Sequence, residues 1–326
     1  MIEAALQSTG GILCLALVFD AAIGDPPALW RRLPHPVVLF GSLIGWGEGR
    51  WNRPGASDAD RRRGGVLLTG LLLVAAALAG WLLHRMLSFV SYGWLLEALI
   101  ASVFLAQKSL HDHVAAVAES FATDGLPGAR RAVSMIVGRD PEQLDAGGVS
   151  RAAIETAAEN FSDGVVAPAF WYLVAGLPGL LAYKALNTAD SMIGHKTARY
   201  LMFGWAAARL DDLANLIPAR LSALLLWAAA LLAPGADVRA SVRATLRDAR
   251  RHRSPNAGWP ESAMAGALGL RLAGPRVYGG KMVEDAWMGG AEGGDAGPAD
   301  IRRALVLFRL ACGALILLAG VMALAA

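Results

Sequence analysis

Three carboxylates recur at intervals of four, Glu155, Glu159 and Asp163, in the run RAAIETAAENFSDG, with Asn160 beside them. On a regular helix that spacing lines them along one face. Acids so arranged repel one another unless a cation sits among them. Mg²⁺ is the natural candidate, because it takes hard oxygen ligands and shares them with nucleotide phosphates. The same spacing also describes a solvated helix face balanced by Arg151, four residues before Glu155, and the Asp163-Gly164 step can end the helix and turn Asp163 away. Spacing alone leaves both open.

A second cluster follows in YKALNTADSMIGHK, with Lys184, Asn187, Thr188, Asp190, Ser191, Gly194, His195 and Lys196. Asn187, Asp190, Ser191 and Gly194 fall at i, i+3, i+4 and i+7, a narrow polar face with one small residue that permits close approach. Such a face needs a hydrogen-bonding partner when buried. Lys184 and Lys196 carry the charge to offset phosphate, and His195 can carry a proton near neutral pH. Taken singly, each also fits a residue that snorkels at a membrane edge. Asp211-Asp212, with Asn215 and Arg220 nearby, reads either as a metal or phosphate station or, for one of the two acids, as the cap of the apolar helix that follows. Asp20, Asp25, His35, Lys108 and His111 are weaker candidates near expected membrane boundaries.

The elements that must position these residues are apolar. Of the 326 residues 55% are hydrophobic and 17% charged, and the mean hydropathy is +0.44, well outside the soluble norm. The expected fold class is all-α, a polytopic helical membrane protein with broken or re-entrant helices and amphipathic cytoplasmic helices. Apolar stretches lie at about 4–19, 65–87, 94–106, 165–183, 213–233 and 304–325. The second, fifth and sixth reach the roughly 20 residues that a span requires. The first has no basic residue from Met1 to Thr9 and is expected to be a retained anchor rather than a cleaved signal. Cys14 and Cys312 sit inside apolar stretches without metal-like spacing and read as packing residues.

The net charge is only +3, but arginines gather at Arg61 to Arg63 and between Arg239 and Arg253. Positive-inside topology accounts for both groups, with an anionic-substrate site as the alternative. No basic stripe interleaves with aromatics, so nucleic acid is not an expected partner. The chain is read as one membrane-embedded domain, 1–326, with polar loops at about 20–64, 108–164 and 234–303. Residues 108–164 read as amphipathic helices outside or on the membrane, with a break at 123–128. The 165–183 stretch contains Pro168 and a GLPG break, which fits a broken or re-entrant segment better than a simple span. If it does not cross, the next stretch puts the 239–253 arginines on the wrong side, so the topology does not close. The GGAEGGDAGPAD segment reads as a flexible lead into the last helix. GSLIGWGEG is Gly-rich but reads as a helix-packing segment. There is no Walker loop, HExxH, nucleophile elbow or Rossmann fingerprint.

The phrases AAIGDPP with LPHPV, QKSLHDH, VGRDPEQLD, RAAIETAAENFSDGVVAPAFW, PGLLAYKALNTADSMIGHKTARYLMFGWAAARLDDLANLIPARL and SPNAGWPESAMAGALGLRLAGPRVYGG resemble the CobD/CbiB family of cobalamin biosynthesis, over about residues 20–280. The resemblance implies an integral membrane adenosylcobinamide-phosphate synthase. Its expected activity is ATP-dependent amide formation between (R)-1-amino-2-propanol, or its O-phosphate, and the remaining propionate of adenosylcobyric acid. Expected cofactors are ATP and Mg²⁺. The expected setting is the inner cell membrane with a cytoplasmic active site, and association with other late cobalamin-pathway enzymes is a further expectation.

On chemical grounds Glu155, Glu159, Asp163 and Asp190 are assigned to Mg²⁺ or amine binding. Lys184, His195 and Lys196 are assigned to phosphate and acyl-phosphate stabilisation. Asn160, Asn187, Ser191, Asp211, Asp212 and Asn256 would bind or orient substrate and nucleotide, with Glu261 a secondary candidate base. Trp46, Trp171 and Trp259 would line a cleft for the corrinoid or form an interfacial belt. Two other function classes fit parts of the pattern. A transporter or channel would suit the intramembrane charges but predicts an internal repeat that is not evident. A non-catalytic sensor of the same superfamily is disfavoured by the retained polar phrases.

Overall fold

The computed structural model describes residues 2–26, 30–138, 141–278, 281–290 and 292–325, with side chains from residue 3 and outside 276–283. Helices dominate: α1 Ile2–Gln7, α2 Thr9–Ile23, α3 Pro36–Trp51, α4 Asp58–Ser88, α5 Gly93–Ser102, α6 Gln107–Thr123, α7 Gly125–Ser134 and α8 Ala146–Phe161. A π-helical turn, Ser162–Val166, leads into α9 Ala167–Ile193, followed by α10 Trp205–Ala214, α11 Leu216–Ala230, α12 Val238–Asp248, α13 Gly258–Leu268 and α14 Pro298–Ala325. Two short antiparallel ladders interrupt the helical pattern. In one, β1 Leu272–Ala273 pairs with β4 Trp287–Met288; in the other, β2 Arg276–Tyr278 pairs with β3 Lys281–Val283.

Four helical runs are long and apolar enough to cross a membrane: Asp58–Ser88, Gly93–Thr123, Ala146–Ile193 and Pro298–Ala325, with a bent pair formed by α10 and α11. The multi-pass helical membrane fold expected from composition is therefore present. The helical run Gly93–Thr123 qualifies through an apolar window, while α6 itself, QKSLHDHVAAVAESFAT, is amphipathic, as the sequence suggests. Residues 239–300 are less polar than their arginines suggest, since every residue of α13 except the half-buried Trp259 is buried.

Chain contacts define two compact units, each described on its own: residues 2–105, 167–215 and 319–325, and residues 106–166 and 216–318. In the first unit α4 is the central strut. Ser57 caps it by accepting the Asp60 N–H at 3.2 Å, Asp58 and Asp60 sit in its first turn and Arg85 in its last, each matched to the helix dipole. Small or slender residues such as Gly65, Leu68, Thr69, Leu72, Ala76 and Gly80 form its buried face. Leu67, Leu71, Val74, Leu78 and Trp81 are exposed on the other, as lipid requires.

Helix α9 is two limbs. Ala175 (φ −143°, ψ 18°) and Gly176 (φ 61°, ψ −151°) are non-helical, and Pro178 offers no N–H to repair the ladder. Gly179 packs against the Trp171 carbonyl eight residues earlier, which a straight helix would hold about 12 Å away. The chain thus doubles back, as the GLPG sequence predicts. The second limb runs antiparallel to α4: Gly80 lies against Leu177, and Gly65 against the Phe203 carbonyl. Residues 195–203 therefore lie at the Arg61–Arg63 end of α4, where Arg62 stacks on Trp205 at 3.8 Å. The broken or re-entrant segment expected at 165–183 is therefore this break at Ala175-Gly176.

In the second unit α12 packs on α13, with Ser241 Oγ donating to the Ala263 carbonyl at 2.6 Å. Phe161 and Phe308 meet edge to face at 5.6 Å. The Gly-rich segment expected to be flexible is instead tied down in its described part. Gly289 N donates to Asp248 Oδ2 at 3.1 Å, and Gly294 N to the Gly269 carbonyl at 3.0 Å. Both cysteines remain thiols.

Candidate functional site

The first unit gathers the second cluster. The returning limb of α9 carries Tyr183, Lys184, Asn187, Asp190 and Ser191, and α10 packs beside it. Tyr183 donates to Asn215 Oδ1 at 2.9 Å, and Asn215 Nδ2 donates to Asp211 Oδ2 at 2.9 Å. The Asn187 amide faces the same carboxyl, and Asp190 lies close enough to Asp211 and Asp212 for their charges to interact. His195 offsets Asp190, while Lys196 and Arg209 offset Asp212; the Arg209–Asp212 contact is 3.6 Å. Gly194 abuts the Asp190 carboxylate so tightly that no side chain fits there, which explains the small residue at the end of the polar face. Asp211 is 8% exposed, whereas Ser191, His195 and Lys196 are exposed. Asn187, Asp190, Asp211, Asp212 and Lys196 are thus brought together from two helices and a loop. Lys184 gives its carbonyl to Thr188 Oγ1 at 2.7 Å and is half-buried.

The second unit holds the acidic stripe, which the structure does not keep as a stripe. The π-helical turn begins at Ser162 and takes Asp163 out of the 3.6-residue register. Glu155 is buried and accepts the Ala273 N–H at 2.7 Å, Glu159 is exposed, and Asp163 is half-buried. Asn160 donates back to the Thr156 carbonyl at 3.1 Å. Glu155 thereby anchors β1 at a residue with left-handed backbone, Ala273 (φ 57°). Arg151, which the sequence offered as its counter-charge, lies over the Trp287 ring instead.

Around α13 a different group forms. Arg220 Nη1 donates to the Leu216 carbonyl at 2.9 Å and to Asn256 Oδ1 at 3.0 Å, and its guanidinium covers the Trp259 ring at 4.5 Å. Ser254 Oγ accepts the backbone N–H groups of Asn256 and Ala257. His252 Nε2 is 3.8 Å from the buried Glu261. The arginine cluster also has a buried anchor that the sequence reading missed: Arg247 grips Asp248 through two hydrogen bonds of 2.8 and 2.7 Å. Asp248 was legible as the single acid among six arginines between 239 and 253.

The weaker candidates are local pairs. His35 is 3.6 Å from Asp25 and caps α3, and Lys108 meets Asp112 at 2.6 Å within α6. Of the tryptophans, Trp46 meets Trp51 edge to face and Trp171 donates to the Ala214 carbonyl at 3.2 Å. The Gly-rich segment is α3, packed through Gly47 on Leu68, and its Glu48 pairs with Arg199 at 2.6 Å.

Among the described residues no three acidic, histidine or cysteine side chains converge as a metal site. Glu155, Glu159 and Asp163 lie in one unit and Asp190 in the other. Mg²⁺ commonly needs only one or two carboxylates, with phosphate oxygens and water completing its shell. Asp211 suits that smaller demand, because among the described residues its buried Oδ1 has no partner in hydrogen-bonding geometry, although the Asn187 amide lies beside the carboxyl.

The model of the CobD/Cbib protein family matches residues 13–308. A Sinorhizobium sp. protein named cobalamin biosynthesis protein CobD is 58% identical over 303 residues, 92% of this chain and 94% of that protein. Proteins of the same name from Brucella anthropi and Rhodobacter capsulatus are 57% and 50% identical, covering 91% and 96% of this chain and the same shares of their own lengths. No solved structure matches.

Proposed function

Because the chain belongs to the CobD/CbiB family, we propose that it joins the amine of (R)-1-amino-2-propanol, or of its O-phosphate, to the free propionate of adenosylcobyric acid in an ATP-dependent ligation. The observation that carries the reading is the meeting of Asp190, Asp211, Asn187 and Lys196 in one unit, within a chain related along nine-tenths of its length to cobalamin biosynthesis proteins.

A carboxylate resists attack by an amine until one oxygen is made a leaving group. ATP with Mg²⁺ would supply that activation: the propionate oxygen would take a phosphoryl group with release of ADP, or an adenylyl group with release of diphosphate, and the amine would then displace phosphate or AMP as the C–N bond forms. Asp190 and Asp211, close enough for their charges to interact, would hold the cation or the incoming ammonium. Lys196, Arg209 and Lys184 supply positive charge for phosphate, and Asn187 orients. His195, exposed and offsetting the charge of Asp190, would take the proton that the ammonium must lose. In the second unit Glu159, Asp163 and Asn160 remain candidates for substrate contact, as do Asn256 and Glu261, whereas Glu155 acts as a structural acceptor.

The Arg61–Arg63 end of α4, to which the second limb of α9 returns, is the end expected to face the cytoplasm. The reading therefore puts ATP and the cluster on the same side of an inner membrane, where further late-pathway enzymes could reach it.

The test is turnover by purified protein in detergent, given ATP, Mg²⁺, adenosylcobyric acid and each amine in turn, with ADP and AMP assayed separately. ADP or AMP release that depends on both corrinoid and amine supports the reading and identifies the activated species. Wild-type turnover in Asp190→Ala and Glu159→Ala variants would remove the residue assignment. No amide product with either amine would remove the reaction.

A further inference from the structure

About 28 Å along α4 from Gly65, at 1.5 Å per residue over the 19 residues to His84, the helix reaches a second polar centre. Glu97 is 4% exposed in the middle of GWLLEALIAS, the N-terminal helix of an apolar run. Its Oε1 accepts the Tyr172 phenol at 2.8 Å, and its Oε2 lies 2.9 Å from His84 Nδ1. An acid at this depth is costly to keep and marks a site by default.

Here it borders a cavity of about 480 Å³, lined also by Glu3, Gln7, His84, Tyr92 and Trp94. Two acids, the Tyr92 and Trp94 rings and the His84 imidazole line this space, and no lysine or arginine is among its described lining residues. The Trp94 indole N–H is buried with no hydrogen-bond partner among the described residues. Each Glu97 oxygen has used one lone pair and keeps another. Such a lining attracts a cation with N–H donors. The rings favour an organic ammonium over a bare metal ion, and the orphan indole asks for an acceptor on the same molecule.

We propose that this cavity is a binding site for a primary ammonium group whose carrier also bears an oxygen acceptor, with Glu97 the counter-ion and Trp94 the second contact. The carrier is either a free small amino alcohol or an ethanolamine lipid headgroup, since Phe89 and Tyr92 beside the mouth are 78% and 67% exposed. The site lies at the opposite end of α4 from the ligation cluster and does not rest on the ligase reading.

The experiment uses full-length protein in amine-free detergent and in nanodiscs. Free ethanolamine is titrated by calorimetry at pH 7, with acetate and ethylene glycol as anionic and neutral controls; nanodiscs of ethanolamine or choline phospholipid are then compared by lipid retention in native mass spectrometry. Saturable binding of free ethanolamine but not of the controls supports a free ligand. Selective retention of the ethanolamine lipid without binding of the free amine supports the headgroup. In either case Glu97→Gln weakens binding at least tenfold. That variant keeps an acceptor for Tyr172 and so keeps the fold, and Trp94→Phe weakens binding less. Binding of neither probe, or undiminished binding by a folded Glu97→Gln protein, overturns the proposal.

Discussion

Asn215 accepts the Tyr183 phenol hydrogen at 2.9 Å, and its other amide atom donates to Asp211 at 2.9 Å. A carboxamide, with an acceptor and a donor on one plane, can stand between a hydroxyl and a carboxylate in this way. Asn215→Ala deletes one hydrogen bond from a buried phenol and one from a buried acid, and losses of this kind cost about 1–3 kcal/mol each. Asn215→Asp keeps the acceptor but sets a charge against Asp211. Thermal unfolding in detergent is expected to fall for both, with Tyr183→Phe closest to wild type. A variant order with Tyr183→Phe worst would contradict the bridging role.

The two acids beside that bridge carry the activity prediction. Asp190→Asn and Asp211→Asn keep shape and hydrogen bonding while removing charge, and turnover in the ATP-dependent assay is expected to drop about 100-fold, the usual effect of deleting one preorganised electrostatic contact. Ser191→Ala, on the same face but exposed, is expected to stay within a few-fold. Measuring kcat and KM for ATP separately locates Lys196, whose removal is expected to raise KM more than it lowers kcat.

Gly80 offers a test of the doubled-back helix. A methyl there would come within 2.7 Å of the Leu177 carbonyl oxygen and the Pro178 nitrogen, backbone atoms that cannot swing aside. Gly80→Val is expected to cost about 1–3 kcal/mol or more through overpacking. Gly70→Ala is the internal control, since its added carbon meets nothing within 4 Å and Gly to Ala favours helix. Equal melting temperatures for the two variants would mean that α4 does not brace the break.

Much of this architecture is written in one-dimensional patterns, and the places where it is not have physical causes. The α9 break was legible because Gly176 and Pro178 each remove something a helix needs, a negative φ or an N–H. The convergence of Asn187, Asp190 and Asp211 was half legible: helical spacing put the first two on one face, but nothing local says that α10 returns to that face. The acidic stripe at Glu155, Glu159 and Asp163 was misleading because a π-helical turn has no compositional signature, so a 3.6-residue count runs through it unaware. Glu97 went unread for the opposite reason. A lone acid in WLLEALIAS is itself the signal, yet its partners His84 and Tyr172 lie 13 and 75 residues away.

The α12 terminus, outside the candidate spans, supplies a pH prediction. Asp237 accepts the Ala240 N–H at 2.9 Å, and that bond, with the charges of Arg243 and Arg239, holds its carboxyl below the ordinary carboxylate range. A folded value below the unfolded one means that the cap's contribution is complete above the unfolded value, about 3.9. It is lost as pH falls through the folded value, because the unfolded state then binds the proton first. Asp237→Asn keeps an oxygen acceptor but no titrating charge. Backbone hydrogen exchange across 238–248, followed from pH 5 downward, is therefore expected to show protection that declines with acid in the wild type. The variant is expected to start less protected and to lack that step. Parallel profiles in the two proteins would mean that acid acts on α12 through some group other than its cap.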